Sequence, residues 1–220
     1  MNTPRLLDLF CCAGGASMGY HRAGFNVTGV DIVPRPNYPF RFVRADAITY
    51  AREHGHEYDF IHTSPPCQAK CALTKGTNAA LSDRYTDLLP AVRVVLSATG
   101  VPYAIENPDA RADVVLCGET FDLGVIRHRK FELSAWITAR PAHPRHRGRV
   151  RGWRHGIYYD GPYIAAYGKG GGKGAVPEIQ VAMGIDWTDV REELTEAIPP
   201  AYAEWVGRRF LTRQPALFEK

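Results

Sequence analysis

Apolar and polar positions fall into short runs with two periods. Arg5-Leu6-Leu7-Asp8-Leu9-Phe10 is almost continuously apolar, as a strand covered on both faces must be. Cys12-Ala13-Gly14-Gly15 then predicts a tight turn, and Ala16–Ala23 a short helix closed by Gly24. Asn26–Ile32 reads as a second strand, Pro34–Pro39 as a loop, and Phe40–Ala45 as a third strand with Asp46 at its end. A helix over Ala47–His54 precedes a strand that runs through Phe60 into Pro65. From Leu81 the period lengthens. Tyr85, Leu88, Leu89, Val92, Val95 and Leu96 recur as on one helix face, with a kink expected at Pro90 and an end at Gly100. Val101–Ile105, Val114–Cys117 and Phe131–Ile137 complete the strands, and Ala201–Leu211 forms a last helix after Pro199-Pro200. Alternating strands and helices with acidic residues at strand ends predict an open, mostly parallel α/β sheet.

Composition adds limits. The chain has 220 residues, enough for one ordinary domain. Hydrophobic residues make up 45% and charged residues 23%, a globular balance. No apolar run reaches the ~18 residues of a membrane span, and the N-terminus shows no signal-peptide pattern. Five cysteines, an odd number with two adjacent, fit a reducing cytoplasm better than a disulfide scaffold. The net charge of +4 is mild, but it is unevenly spread. Residues 139–159 contain no acid and six arginines, Arg140, Arg145, Arg147, Arg149, Arg151 and Arg154, with three histidines.

Candidate chemistry sits at predicted strand ends. Ser64-Pro65-Pro66-Cys67-Gln68 stops its strand, because neither proline can donate to a ladder, and leaves Cys67 on a stiff turn. Glycines after the first strand let a ligand approach the backbone beside a helix N-terminus. Asp31 is placed to take ribose hydroxyls, and Asp46 an adenine amino group. These features suit a nucleoside cofactor without separating NAD from S-adenosylmethionine. The missing G-x-G-x-x-G spacing tilts away from a dinucleotide. Cys71 lies four after Cys67, but with His62 alone it makes no convincing zinc set, so no metal is expected. Cys11, Cys12 and Cys117 read as small buried residues.

Taken together, these stretches resemble the DNA cytosine-5 methyltransferases. The resemblance rests on Asp8-Leu9-Phe10 with Gly14-Gly15, Asp31, Asp46, Pro65-Pro66-Cys67-Gln68, Glu106-Asn107-Pro108, Arg127-His128-Arg129 and Ala197-Ile198-Pro199-Pro200, in the family's order. It implies the Rossmann-like, doubly wound sheet of S-adenosylmethionine-dependent methyltransferases, with one antiparallel strand and a small insert. Residues 1–138 with 195–220 would be the catalytic part, and 139–194 a reduced target-recognition insert. The implied cofactor is S-adenosylmethionine, held by Asp8, Phe10, Gly14, Gly15, Asp31, Asp46 and Pro65. Cys67 would attack cytosine C6, Glu106 would serve N3 as the acid, and Arg127 and Arg129 would hold the flipped base or its phosphates. Glu106 would need a raised pKa for that task.

The implied partner is double-stranded DNA, with no obligate protein partner. Gln68 and the arginines Arg145, Arg147, Arg149, Arg151 and Arg154 would contact it, aided by Trp153, Tyr158, Tyr159, Tyr163 and Tyr167. Rival readings are the same chemistry on transfer RNA, a silent DNA-binding relative, and, more remotely, an NAD-dependent oxidoreductase. The sequence departs from the family at Cys12, where a glycine is usual, at Val125, where a glutamine is usual, and at Thr195-Glu196, where Gly-Asn is usual.

Overall fold

The computed structural model describes residues 3–67, 86–134, 136, 138–154, 156–167 and 174–212; the Arg154 side chain is outside that set. Seven strands form one sheet: β1 (Arg5–Leu9), β2 (Asn26–Asp31), β3 (Arg41–Arg44), β4 (Phe60–Thr63), β5 (Tyr103–Glu106), β6 (Val114–Leu116) and β7 (Arg129–Leu133). Their order is β3-β2-β1-β4-β5-β7-β6. The first five pair in parallel, and β7 runs antiparallel to both neighbours. This is the doubly wound sheet expected, including its one reversed strand. The reversal has a consequence for chemistry. It brings the amino end of β7, with Arg129, to the edge where β4 and β5 present their carboxyl ends.

Helices cover both faces. On one, α1 (Gly15–Ala23) and α6 (Pro200–Leu211) pack together over Leu6, Tyr20, Phe25, Phe60, Tyr202 and Phe210. Close approach explains the glycines here. A Cβ on Gly15 would lie 2.3 Å from the Ile198 carbonyl oxygen, and one on Gly19 would lie 2.1 Å from that of Pro200. Gly15 therefore brings the Ala197–Pro200 segment against the first turn. On the other face, α2 (Ala47–His54) and α3 (Leu89–Thr99) cover Leu7, Leu9, Ile61, Val92, Leu96 and Ile105.

Two sequence expectations change. Pro90 does not kink a helix; α3 starts at Leu89, so Pro90 sits in its first turn, where its missing N–H costs nothing. Residues 81–85, expected to begin that helix, are outside the described set. Elements after residue 150 were not foreseen: a hairpin of β8 (Gly152–Arg154) and β9 (Ile157–Tyr159), α4 (Val176–Met183) and α5 (Arg191–Glu196). Ile179, Ala182, Met183 and Leu194 form a third apolar cluster with Val125 and Ala197, so α4 and α5 share a core with the connections that flank the sheet. Val125 is fully buried there, which accounts for an apolar side chain at that position. No described helix is long and apolar enough to cross a membrane.

Candidate active site

Three connections converge on the carboxyl edge. Thr63, the last residue of β4, pairs with Ile105 of β5. The Ser64–Cys67 loop therefore leaves β4 beside Glu106-Asn107, which leave β5. Asn107 fixes the two together, its Nδ2 donating to the Pro65 carbonyl at 3.1 Å. Lower in the loop, the Ser64 amide donates to Leu9 O at 3.3 Å. His62 bridges Tyr20 OH and Ser64 Oγ through its two ring nitrogens, each at 3.0 Å. Burial holds the imidazole pKa down at about 3, so it is a neutral relay of hydrogen bonds. Cys67 sits half-buried at the loop's end. Gln68 lies outside the described residues.

Glu106 is 6% exposed. Its Oε1 is 3.5 Å from Arg129 Nη1, an ion pair without hydrogen-bond geometry. Glu106 Oε1, Arg129 Nε and Thr63 Oγ1 are buried and lack hydrogen-bond partners among the described residues. A buried polar atom in that state costs about 1–3 kcal/mol. Glu106 Oε1 and Arg129 Nε, which lie together where β5 meets β7, mark a place prepared for a polar ligand; Thr63, paired with Ile105, points to the other face of the sheet.

Arg127 does not join Arg129 there through its hydrogen bonds. Its fork donates to the carbonyls of Ala166 (3.1 Å) and Thr195 (3.0 Å), while its own carbonyl accepts from Tyr202 OH at 2.7 Å. Burial, then the charge of Arg129, lowers the guanidinium pKa to about 9, which leaves it charged at neutral pH. Arg127 ties the insert to the sheet; Arg129 faces the acid.

On the cofactor side, the turn after β1 is tightly wound. Phe10 (φ 57°), Cys12 (φ 46°) and Gly14 (φ 83°) all take left-handed backbone. A side chain in that conformation at Cys12 costs about 1–2 kcal/mol that a glycine would not. Asp31 helps hold that turn. Its Oδ2 accepts from Cys12 N (3.1 Å) and Arg35 Nε (3.2 Å), and its Oδ1 from Val33 N (2.9 Å). A carboxylate oxygen accepts about two bonds, so Oδ1 keeps capacity for one hydroxyl while Oδ2 is filled. Asp46 is exposed and caps α2 by accepting from Thr49 N at 2.8 Å. Asp8 is turned inward, accepting from Ser17 Oγ, which in turn meets Tyr38 OH at 2.6 Å. Burial raises the Asp8 pKa to about 7, so it braces the interior beneath the turn.

The arginine run is less open than its composition suggests. Arg147 pairs with Glu119 (3.0 Å) and Asp122 (2.8 Å), Arg151 pairs with Glu178, and Arg140 donates to the carbonyls of Asp113 and Ala112. Arg145 is exposed, and Arg149, also exposed, lies 4.7 Å from the Tyr159 ring centroid. Trp153, Ile157 and Tyr158 project outward at 68%, 57% and 50% exposure. Tyr163 is not on that surface. It is fully buried, accepting from Arg147 N and donating to Glu119. Residues 168–173 of the Gly168–Gly174 run lie outside the described set.

One grouping escaped the sequence reading. Cys117, His128, His143 and His146 present ligand atoms that all lie within 4.8 Å of one another. Their only sequence signal is the His143-Pro-Arg-His146 spacing, far from the other two in the chain.

No family model and no curated protein matches the chain in sequence. Among solved structures, the S. pombe Dnmt2 methyltransferase is similar with a TM-score of 0.60 at 11% identity, over 97% of this chain and 100% of that one. The Entamoeba histolytica methyltransferase EhMeth is similar with a TM-score of 0.58 at 11% identity, over the same shares. The match to a Spodoptera frugiperda DNMT2 mutant covers 59% of this chain and 49% of that one, so this chain spans about half its length; the TM-score is 0.44 at 17% identity. The fold is therefore the Rossmann-like sheet that the first two of these methyltransferases share, reached at a sequence distance where only shape is held in common.

Proposed function

We propose that the protein transfers a methyl group to C5 of a flipped cytosine in double-stranded DNA. The observation that carries this reading is the carboxyl-edge cluster: Cys67 on a loop pinned by Asn107, next to Glu106 and Arg129 with buried atoms left unsatisfied. A cytosine ring brings the matching donors and acceptors.

In this mechanism the Cys67 thiolate adds to C6, forming a C–S bond. The ring electrons move toward C5, and Glu106 stabilises N3 as density builds there. Arg129, held beside Glu106, anchors the base carbonyl or an adjoining phosphate. S-adenosylmethionine, when bound, would supply an electrophilic methyl on a sulfonium; Asp31 Oδ1 would accept from a ribose hydroxyl, and the Phe10–Gly14 turn would help to hold it. C5 would take the methyl as the sulfonium's methyl–sulfur bond breaks, leaving S-adenosylhomocysteine; a base then removes the C5 proton, its electron pair restores the ring double bond, and the C6–S bond breaks to release the Cys67 thiolate. Since a duplex buries the ring, the base has to leave the stack first.

The test is a duplex containing 5-fluorocytosine, incubated with the enzyme and S-adenosylmethionine. Fluorine cannot leave C5 as a proton does, so a denaturant-resistant adduct accumulates with the native chain. Cys67→Ala gives none. An adduct that persists in Cys67→Ala removes the nucleophile assignment. Adduct formation on fluorinated transfer RNA and not on duplex DNA overturns the choice of substrate while keeping the chemistry.

A further inference from the structure

Cys117 follows the last residue of β6, stands at the N-cap of the 3₁₀ turn over Gly118–Phe121, and is fully buried. His128 immediately precedes β7, between Arg127 and Arg129. His143 and His146 come from the strap that follows β7. No residue from 138 to 150 is buried and only four are half-covered, so this strap has almost no apolar attachment. Its histidines nevertheless converge on the sheet. His128 and His143 face each other Nε2 to Nε2 at 2.9 Å with rings only 10° from parallel, and Cys117 Sγ lies 3.4 Å from His146 Nε2. The rings of His128 and His143 both lie close to His146, with centroids 5.4 and 5.0 Å away.

We propose that Cys117, His128, His143 and His146 form a structural zinc site that fastens the strap to the sheet edge. Tetrahedral zinc with bonds of about 2.0–2.1 Å to nitrogen and 2.3 Å to sulfur separates its ligands by about 3.3 Å (N to N) and 3.6 Å (N to S). The observed 2.9 and 3.4 Å fall within a few tenths of an ångström of those edges. One thiolate with three imidazoles suits zinc, and a full set of four protein ligands leaves no open position, as in structural rather than catalytic sites. The surroundings help to orient the ligands. His146 stands 6.2 Å, centroid to centroid, from the ring of Tyr163, whose hydroxyl bonds Glu119 two residues after Cys117. Zinc here would also stiffen the approach to Arg129, because His128 is its chain neighbour. None of this depends on what the carboxyl edge methylates.

The experiment measures metal in the purified full chain, expressed with zinc and dialysed without chelator. The expected content is about one zinc per chain. In His143→Ala and His146→Ala, both changed at positions outside the core, it falls to a small fraction of that. Cobalt(II) in place of zinc gives the intense visible bands of a tetrahedral ion and the near-ultraviolet thiolate charge-transfer band, and the latter disappears in Cys117→Ser. A strong chelator lowers Tm of the native chain and opens residues 138–150 to proteolysis, with neither effect in His143→Ala. Should Cys117→Ser fail to fold, the histidine variants and the chelator still decide the matter. A metal-free native chain whose Tm ignores both zinc and chelator would mean a purely hydrogen-bonded histidine cluster and overturn the proposal. So would zinc retained undiminished in both histidine variants.

Discussion

The carboxyl edge of the sheet and the strap that follows β7 both hold polar side chains in fixed places, with different materials. At the edge, Glu106 and Asn107 rest on strands whose apolar neighbours, Ile61, Ala104 and Ile105, are completely buried. Hydrogen bonds there set fine position only, as when Asn107 holds Pro65. The strap has no such backing. Arg147 on Glu119, Arg140 on two carbonyls and the four-residue sulfur–imidazole cluster do the holding. A chemical step tolerates little displacement, so its residues belong on the core-backed edge. If the strap meets DNA, as proposed, a surface for a long polyanion can be built from ion pairs that rearrange.

If the edge is the chemical half, damage there should act on rate. Glu106→Gln keeps the shape but cannot supply the proton, and single-turnover methylation should drop by about two or more orders of magnitude. DNA affinity, measured by anisotropy, should barely move. An equal loss of affinity with normal chemistry would place Glu106 on the binding side. Asn107→Ala is subtler. It frees Pro65 from its tether, and a lost buried hydrogen bond costs about 1–3 kcal/mol, or roughly five- to 150-fold. Adduct formation on 5-fluorocytosine DNA should slow by that range with S-adenosylmethionine affinity unchanged. No slowing would show that the prolines alone position Cys67.

The edge also carries an opposed pair of buried titrations. His62 has its pKa depressed from 6.5 to about 3, so its stabilising effect is full above pH 6.5 and is lost as pH falls through that window. Asp8 has its pKa raised from 3.8 to about 7, so its effect is full below pH 3.8 and is lost as pH rises toward neutrality. Each slope approaches about 1.4 kcal/mol per pH unit, and they oppose one another between about pH 4 and 6.5. In Asp8→Asn the His62 slope is unmasked. Relative to the native chain, stability from urea titrations should therefore fall more steeply on acidification, by up to about 1.4 kcal/mol per unit. Parallel profiles for the two proteins would mean that Asp8 titrates as an ordinary carboxylate.

The two regions also differed in how readily the sequence disclosed them. The edge was legible because strand and helix periods, with Pro65-Pro66 and Gly100 as stops, fix where the chain must turn. Asp46 and Gly15 stood where expected, yet each serves a local need in this structure: a helix cap and the close packing of α6. The sequence alone does not distinguish a strand-end aspartate that caps from one that binds, because both occupy the same position. In the insert, composition pointed to a basic surface but hid its pairing. The partners Glu119, Asp122 and Glu178 lie far from the arginines in sequence. Tyr163 has the sequence setting of a surface aromatic, but its hydroxyl joins the Arg147 amide to Glu119 in the interior. Cys117 and His128 were likewise unremarkable until folding placed them beside His143 and His146.

Those pairings change what the arginine run should do with DNA. Sequence counting would assign Arg145, Arg147 and Arg149 equal phosphate contacts. Arg147, however, is held between two carboxylates and Arg151 by a third, so each would have to surrender a protein partner to reach a phosphate. Arg145 and Arg149 are exposed, and Arg149 is steered by Tyr159 rather than neutralised. Each phosphate contact contributes about 0.9 to the log–log dependence of affinity on salt. Arg145→Ala with Arg149→Ala should therefore flatten that slope by up to about 1.8, equally on all duplexes. Arg147→Ala with Arg151→Ala should change it much less and instead loosen the strap, visible as faster proteolysis of residues 138–150. The reverse pattern, with the paired arginines carrying the slope, would mean that their carboxylate partners yield to DNA on binding. The strap would then be an electrostatic latch rather than a fixed platform.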